Sequence, residues 1–258
     1  MNLAEIQEQL RTHGLEGWLF FDHHHRDPIA YRVLELGPKL HATRRWYYWI
    51  PAAGEPTKLV HRIENWNLDS LPGSKQVYSA WKEQYEKLAA LLEGVSRLAM
   101  QYSPQCMIPY VSLVDAGTVD LIRSLDKEIV SSAALVQYFE ARWSGEQFDS
   151  HLQAGRLVDA TRREAFQEIG RRIQADGAVQ EITIAEFIRS RFQQQGLIAD
   201  DGPIVAVNAN SGNPHYAPSA EQSSPIGKGD LPVATSPAVI RPIAGPRMMP
   251  ERAPPVAR

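Results

Sequence analysis

Residues able to do chemistry fall in a few short stretches of this 258-residue chain. His23-His24-His25 is flanked by Asp22 and Asp27, and imidazoles and carboxylates are the side chains that ligate metals or move protons. Consecutive side chains diverge, however, and no partner His follows at helical spacing. The run therefore reads as a polar loop at the end of a strand, able to line a cleft. Asp200-Asp201 precede Gly202-Pro203 and read as a turn into a strand rather than an acid–base pair. Ser144-Gly145 and Ser211-Gly212 lack the Gly-x-Ser-x-Gly form of a nucleophile elbow. Gly227-Lys228-Gly229 lacks the length and the trailing Ser or Thr of a phosphate loop. Trp46-Tyr47-Tyr48-Trp49 could stack on a ligand, but such a run more often forms a strand with both faces occupied. His215 follows Asn213-Pro214 and precedes Tyr216 in a loop, where an imidazole can donate a hydrogen bond to a developing oxyanion. Taken alone, it reads as a loop His satisfied by backbone.

The elements that must position these residues follow from pattern. Leu3, Ile6 and Leu10 recur at helical spacing and Gly14 is placed to end that helix. Residues 17–21 (GWLFF) are an apolar run of strand length, suited to a sheet buried on both faces. Residues 46–50 and 58–63 read as strands joined by a Pro/Gly turn. A helix over 82–92, a strand over 97–101, a helix over 112–125 and a short strand over 128–130 complete an α/β domain expected to end near residue 133. From residue 134 the pattern is helical, with a capping box at Ser144-Gly145-Glu146-Gln147 that puts the break between domains near residues 143–145. A second capping box, Thr183-Ile184-Ala185-Glu186, is expected to open a helix closed by Gly196. An apolar strand over 204–207 then leads into the His215 loop.

Composition narrows the classes. Hydrophobic residues are 43% and charged residues 22% of the chain, which is ordinary globular usage. A net charge of -3 argues against a nucleic-acid partner, since phosphate binding needs a concentrated basic surface. The single Cys106 excludes an internal disulfide framework and suits a reducing, cytoplasmic setting. Its neighbours Met107 and Ile108 suggest a buried, inert thiol. Residues 1–14 lack the apolar core of a signal peptide, and no run reaches the roughly 20 apolar residues of a membrane span.

Residues 231–258 differ in kind: Pro stands at 232, 237, 242, 246, 250, 254 and 255, and Glu251 is the one acidic residue. No helix or interior strand is expected at that spacing, so residues 232–258 read as a disordered or extended tail. Placed directly after a Gly-Asp turn that should launch a core strand, such a tail suggests a truncation or a shifted reading frame.

The segment from Gly202-Pro203-Ile204-Val205-Ala206, through Asn213-Pro214-His215-Tyr216, to Gly229-Asp230-Leu231 resembles the opening of the catalytic domain of the pita-bread metallopeptidases. This superfamily includes the Xaa-Pro aminopeptidases, prolidases and creatinase. The resemblance spans residues 1 to about 231. It implies an α/β fold: a creatinase-type N-terminal domain over 1–133, a helical connection and incomplete pita-bread domain over 134–231, and an aberrant tail over 232–258. It implies a hydrolase that cleaves the bond before proline, with two divalent ions (Mn, Co or Zn) held by two Asp, one His and two Glu. These lower the pKa of a shared water. It further implies a peptide substrate with proline in second position and a homodimer. By the match of position, His215 would bind substrate and steady the tetrahedral intermediate. The family's first metal ligand, five residues beyond the turn Asp, falls here on Thr235, and no other ligand has a counterpart. The chain is thus expected to be inactive as written. The alternatives are a non-enzymatic binding or dimerisation scaffold and a creatinase-type amidinohydrolase, which shares the loop His.

Overall fold

The computed structural model describes residues 1–37, 40–199, 201–235 and 239–240. The chain divides into two compact units, Met1–Arg142 and Trp143–Arg258.

The first unit is built on a mixed sheet of strands β1 (Gly17–Asp22), β2 (Trp46–Pro51), β3 (Thr57–His61), β4 (Ser74–Tyr78), β5 (Arg97–Met100) and β6 (Glu128–Ser131). Their order is β4-β3-β2-β1-β5-β6. β1 and β2 pair antiparallel from Gly17 opposite Pro51 to Asp22 opposite Trp46, whereas β5 runs parallel to both β1 and β6. Helices α1 (Leu3–Thr12), α2 (Pro28–Val33), α3 (Trp81–Leu91), α4 (Ala116–Arg123) and α5 (Ala133–Glu140) cover the sheet. Every residue of β1 is buried, as expected for a strand packed on both faces. Trp18, Phe20, Trp46, Tyr48 and Ile50 enter one core with Leu10, Leu135 and Val136. Leu19, Phe21, Tyr47 and Trp49 enter the opposite core with Leu88, Leu98 and Ile122. The aromatic run 46–49 thus belongs to packing, each ring contributing about 2–3 kcal/mol of burial, and not to ligand stacking. Gly17 has a steric reason: a Cβ there would lie 2.2 Å from the Trp49 ring.

Several boundaries shift from the sequence pattern. The helix read over 112–125 begins only at Ala116, because Asp115 caps it by accepting the Thr118 N–H. β3 ends at His61, where a 3-10 turn over Arg62–Glu64 takes over. β4 and α2 carry no clear apolar period and are additional. α5, beyond residue 133, packs Leu135 and Val136 into the first unit's core.

The second unit opens with α6 (Gly145–Asp176), whose capping box at Ser144 and Gln147 is fully formed. Gly177, in the left-handed region at φ 83°, ends it. β7 (Ala178–Gln180), α7 (Glu181–Gln194), β8 (Leu197–Ile198), β9 (Ile204–Val207), β10 (Pro225–Gly227), β11 (Pro232–Thr235) and β12 (Val239–Ile240) follow. The capping box expected at Thr183 does not form. α7 starts three residues earlier, at Glu181, with no side-chain cap at Gln180. Ala165, Ile169, Ile184, Ile188, Phe192, Val205 and Ile226 make the core.

The expectation that residues 232–258 form a disordered or extended tail is corrected at its start. β11 pairs antiparallel with β9, Pro232 opposite Val207 through Thr235 opposite Ile204. Pro232 is the strand's first residue, where a missing N–H is tolerated. β12 likewise pairs with β8. Residues 236–238 and 241–258, the rest of the expected tail, lie outside the described residues. Among the described residues no helix is long and apolar enough to cross a membrane.

Candidate functional site

The His215 loop hangs between β9 and β11 in the second unit. β9 runs into a 3-10 turn over Asn208–Gly212, and Asn208 itself takes a positive φ of 48°. From that position Asn208 ties the two strands. Its Nδ2 donates to Asp230 Oδ1 at 2.8 Å. Its Oδ1 accepts the Leu231 N–H at 3.1 Å. Asp230 Oδ2 accepts the Gly227 N–H at 2.7 Å, closing the Gly227–Asp230 turn, in which Gly229 supplies φ 94°. The Gly227 N–H, with the Asn208 amide, holds the Asp230 carboxyl below the ordinary range. The Gly-Asp-Leu sequence is therefore a strand clamp, and Asp230 spends its oxygens on structure.

The loop is anchored from below by Glu181, a residue the sequence reading passed over. It is the first residue of α7 and its side chain is 0% exposed. Its Oε1 accepts the Val207 N–H at 2.6 Å and the Asn210 amide at 3.0 Å. Its Oε2 accepts the Ser224 N–H at 2.7 Å and the Tyr216 hydroxyl. Burial pushes this carboxyl up, but the bonds from Tyr216, Asn210, Ser224 and Val207 outweigh it and hold it low. The same contact, after burial, raises the Tyr216 hydroxyl to about 12. An acid among Val179, Ile182 and Ile184 was the one signal in the sequence that a buried acceptor was needed.

His215 sits above this anchor. Its backbone N–H donates to Asn213 Oδ1 at 3.0 Å, an Asx turn, and its side chain is exposed, whereas Tyr216 is buried. The ring is thus presented to solvent on a braced loop.

The other sequence candidates lie elsewhere. His23, His24 and His25 follow β1 in the first unit, with His24 and His25 both at positive φ. The three rings do not converge: His23 meets His24 edge-on at 4.3 Å, while His25 lies against Tyr31 at 5.2 Å. Burial, reinforced by His24, Arg26 and Arg45, lowers the His23 pKa. Cys106, expected to be buried, is exposed. It lies in a 3-10 turn whose Gln105 and Cys106 are both at positive φ, and Met107 is 77% exposed beside it. The turn lifts these apolar side chains off the core.

A two-metal centre does not fit the described residues. Among them no three His, Cys, Asp or Glu are arranged so that they could hold a metal ion. On β11, the strand where the resemblance implies the first ligand, the corresponding residue is Thr235, an exposed hydroxyl opposite Ile204.

No family model and no curated protein matches the sequence. Solved structures do match along nearly all of it. A dipeptidase PepE from Mycobacterium ulcerans aligns with TM-score 0.58 at 17% identity, covering 93% of this chain and 60% of that one. A dipeptidase from Pyrococcus horikoshii OT3 aligns at 0.50 and 20% identity, covering 93% and 62%. The prolidase from Pyrococcus furiosus aligns at 0.50 and 16%, covering 93% and 66%. The chain thus shares its fold with these dipeptidases and this prolidase. This chain spans less than two thirds of the length of these structures.

Proposed function

We propose that the chain derives its architecture from an Xaa-Pro aminopeptidase or dipeptidase, a hydrolase cutting the peptide bond before proline, and that it does not itself catalyse that cleavage. The observation that carries this reading is the braced His215 loop between β9 and the Gly-Asp-Leu clamp, on a fold shared with prolidases and dipeptidases. In a relative with a complete site, His215 would meet the substrate and donate to the developing oxyanion. Here Thr235 stands where an acidic ligand is implied, so nothing at that position generates a nucleophile or polarises the scissile carbonyl. A cytoplasmic location and a peptide ligand with proline second belong to the same reading. The test is hydrolysis of Xaa-Pro dipeptides by the full chain with Mn, Co or Zn added. We expect no metal-dependent turnover, and turnover that His215→Ala abolishes would overturn the reading.

One observation favours a scaffold role beside it. Met107, Ile108 and Tyr110 are 77%, 45% and 88% exposed within one short segment of the first unit, a run of apolar side chains that a partner could cover. A homodimer through this unit would cover them. Sedimentation of the full chain against a Tyr110→Asp, Met107→Asp variant checks it, a monomer in both cases counting against dimerisation.

A further inference from the structure

The junction of β1 and α2 holds two carboxylates in one closed corner. Asp22 and Asp27 are 1% and 2% exposed. Asp22 is fully occupied. Its Oδ1 accepts the N–H groups of Arg26 at 2.7 Å and Asp27 at 3.0 Å. Its Oδ2 accepts the His25 N–H at 3.1 Å and the Tyr31 hydroxyl at 2.8 Å. These bonds wrap residues 23–27 into a tight loop with His24 and His25 in the left-handed region. That conformation is costly for non-glycine residues and persists only because its surroundings impose it.

Asp27 is occupied on one side only. Its Oδ1 caps α2 by accepting the Ala30 N–H at 3.0 Å, while Oδ2 is buried with no hydrogen-bond partner among the described residues. A stranded carboxylate oxygen favours the neutral acid, and a second carboxylate nearby favours it further. The groups around the corner are Asp22 from β1, His25 and Arg26 from the loop, Tyr31 and Arg32 from α2, Trp46 from β2 and Glu140 from α5. Arg32 is the cation that would compensate a charge on Asp27. Its guanidinium is instead committed to Glu140, with two bonds of 2.7 Å each.

We propose that Asp27 is a proton-operated latch for the loop 23–27. Protonated, it caps α2 and leaves Asp22 to hold the loop; ionised, it sets two like charges in a sealed corner, and the loop and first turn of α2 open. Burial, aided by the Asp22 charge, pushes the Asp27 carboxyl up to about 7, so the latch would work across neutral pH. The sign follows from linkage. Between the ordinary Asp range and pH 7 the folded state binds a proton that the unfolded chain does not, so the closed form is favoured at acid pH and loses ground as pH rises towards 7. Opening would release the three histidines from their fixed geometry.

The test is amide hydrogen exchange of the full chain, corrected for intrinsic rates, at pH 5.5 and 8.5. Protection at His25, Arg26, Asp27 and Ala30 should fall about tenfold or more at the higher pH. In Asp27→Asn, which keeps the cap but cannot ionise, it should stay constant. A flat wild-type profile, or the same fall in Asp27→Asn, overturns the proposal. A His23→Gln, His24→Gln, His25→Gln variant separates the imidazoles: the fall should persist, and its loss would assign the effect to them instead. Should Asp27→Asn not fold, the Asp27 carboxyl carbon of the wild type decides by NMR. Titration near pH 7, together with the loss of protection, supports the latch, and titration in the ordinary carboxylate range overturns it.

Discussion

Replacing Glu181 by Gln tests whether the His215 loop depends on one buried carboxylate. The change keeps size and shape but leaves one acceptor oxygen where there were two, and points an NH2 at groups that themselves donate. Four donors converge on the wild-type side chain: the N–H groups of Val207 and Ser224, the Asn210 amide and the Tyr216 hydroxyl. The hydroxyl can rotate away and the Asn amide can turn, but the two backbone N–H groups cannot. A buried donor left unpaired costs about 1–3 kcal/mol, so stranding one or two gives a loss of about 1–6 kcal/mol. At about 4–8 °C per kcal/mol for a unit of this size, the second unit should melt at least about 4 °C lower. Thermal melts followed by hydrogen exchange and mass spectrometry would localise the loss to peptides spanning 181–235 and leave 1–142 unchanged. The acid limb should change as well. A carboxyl held below its unfolded value contributes stability above the unfolded pKa and loses it as pH falls through the folded one. Wild type should therefore destabilise on acidification in this unit, and Glu181→Gln should flatten that slope. A loss under about 1 kcal/mol, or an equal loss in the first unit, would refute the account of the loop.

Two further outcomes follow from packing. Gly17→Ala places a Cβ 2.2 Å from the Trp49 ring in the middle of the sheet, so chemical denaturation should show a loss of about 2–3 kcal/mol, as for an overpacked core. Cys106, exposed in its 3-10 turn, should react with a thiol reagent in the native protein as fast as in the unfolded one; a reaction needing denaturant would contradict the exposed placement.

Much of the fold was legible because its signals are local. The apolar run 17–21 could only be a strand buried on both faces, and WYYW at 46–49 had the alternation that feeds two cores. The capping box at Ser144 was readable because both of its bonds lie within four residues. The motif around His215 likewise pointed to the fold that this chain shares with solved dipeptidases and prolidases.

What the sequence could not decide depends on residues far apart in the chain. Cys106 sits in an apolar tripeptide, and only a turn with two left-handed residues carries it outward. The Thr183 capping box has the right residue types but loses to a start at Glu181, because that placement brings a carboxylate under residues 207, 210, 216 and 224. Proline at 232 argued against a strand, yet β9 provides a partner and the proline falls at the strand's end, where no donor is required. Residue types and short-range spacing set which elements could form. The bracing of His215 and the closed corner of Asp22 and Asp27 are products of tertiary contact alone, since burial and charge proximity exist only once distant segments are brought together.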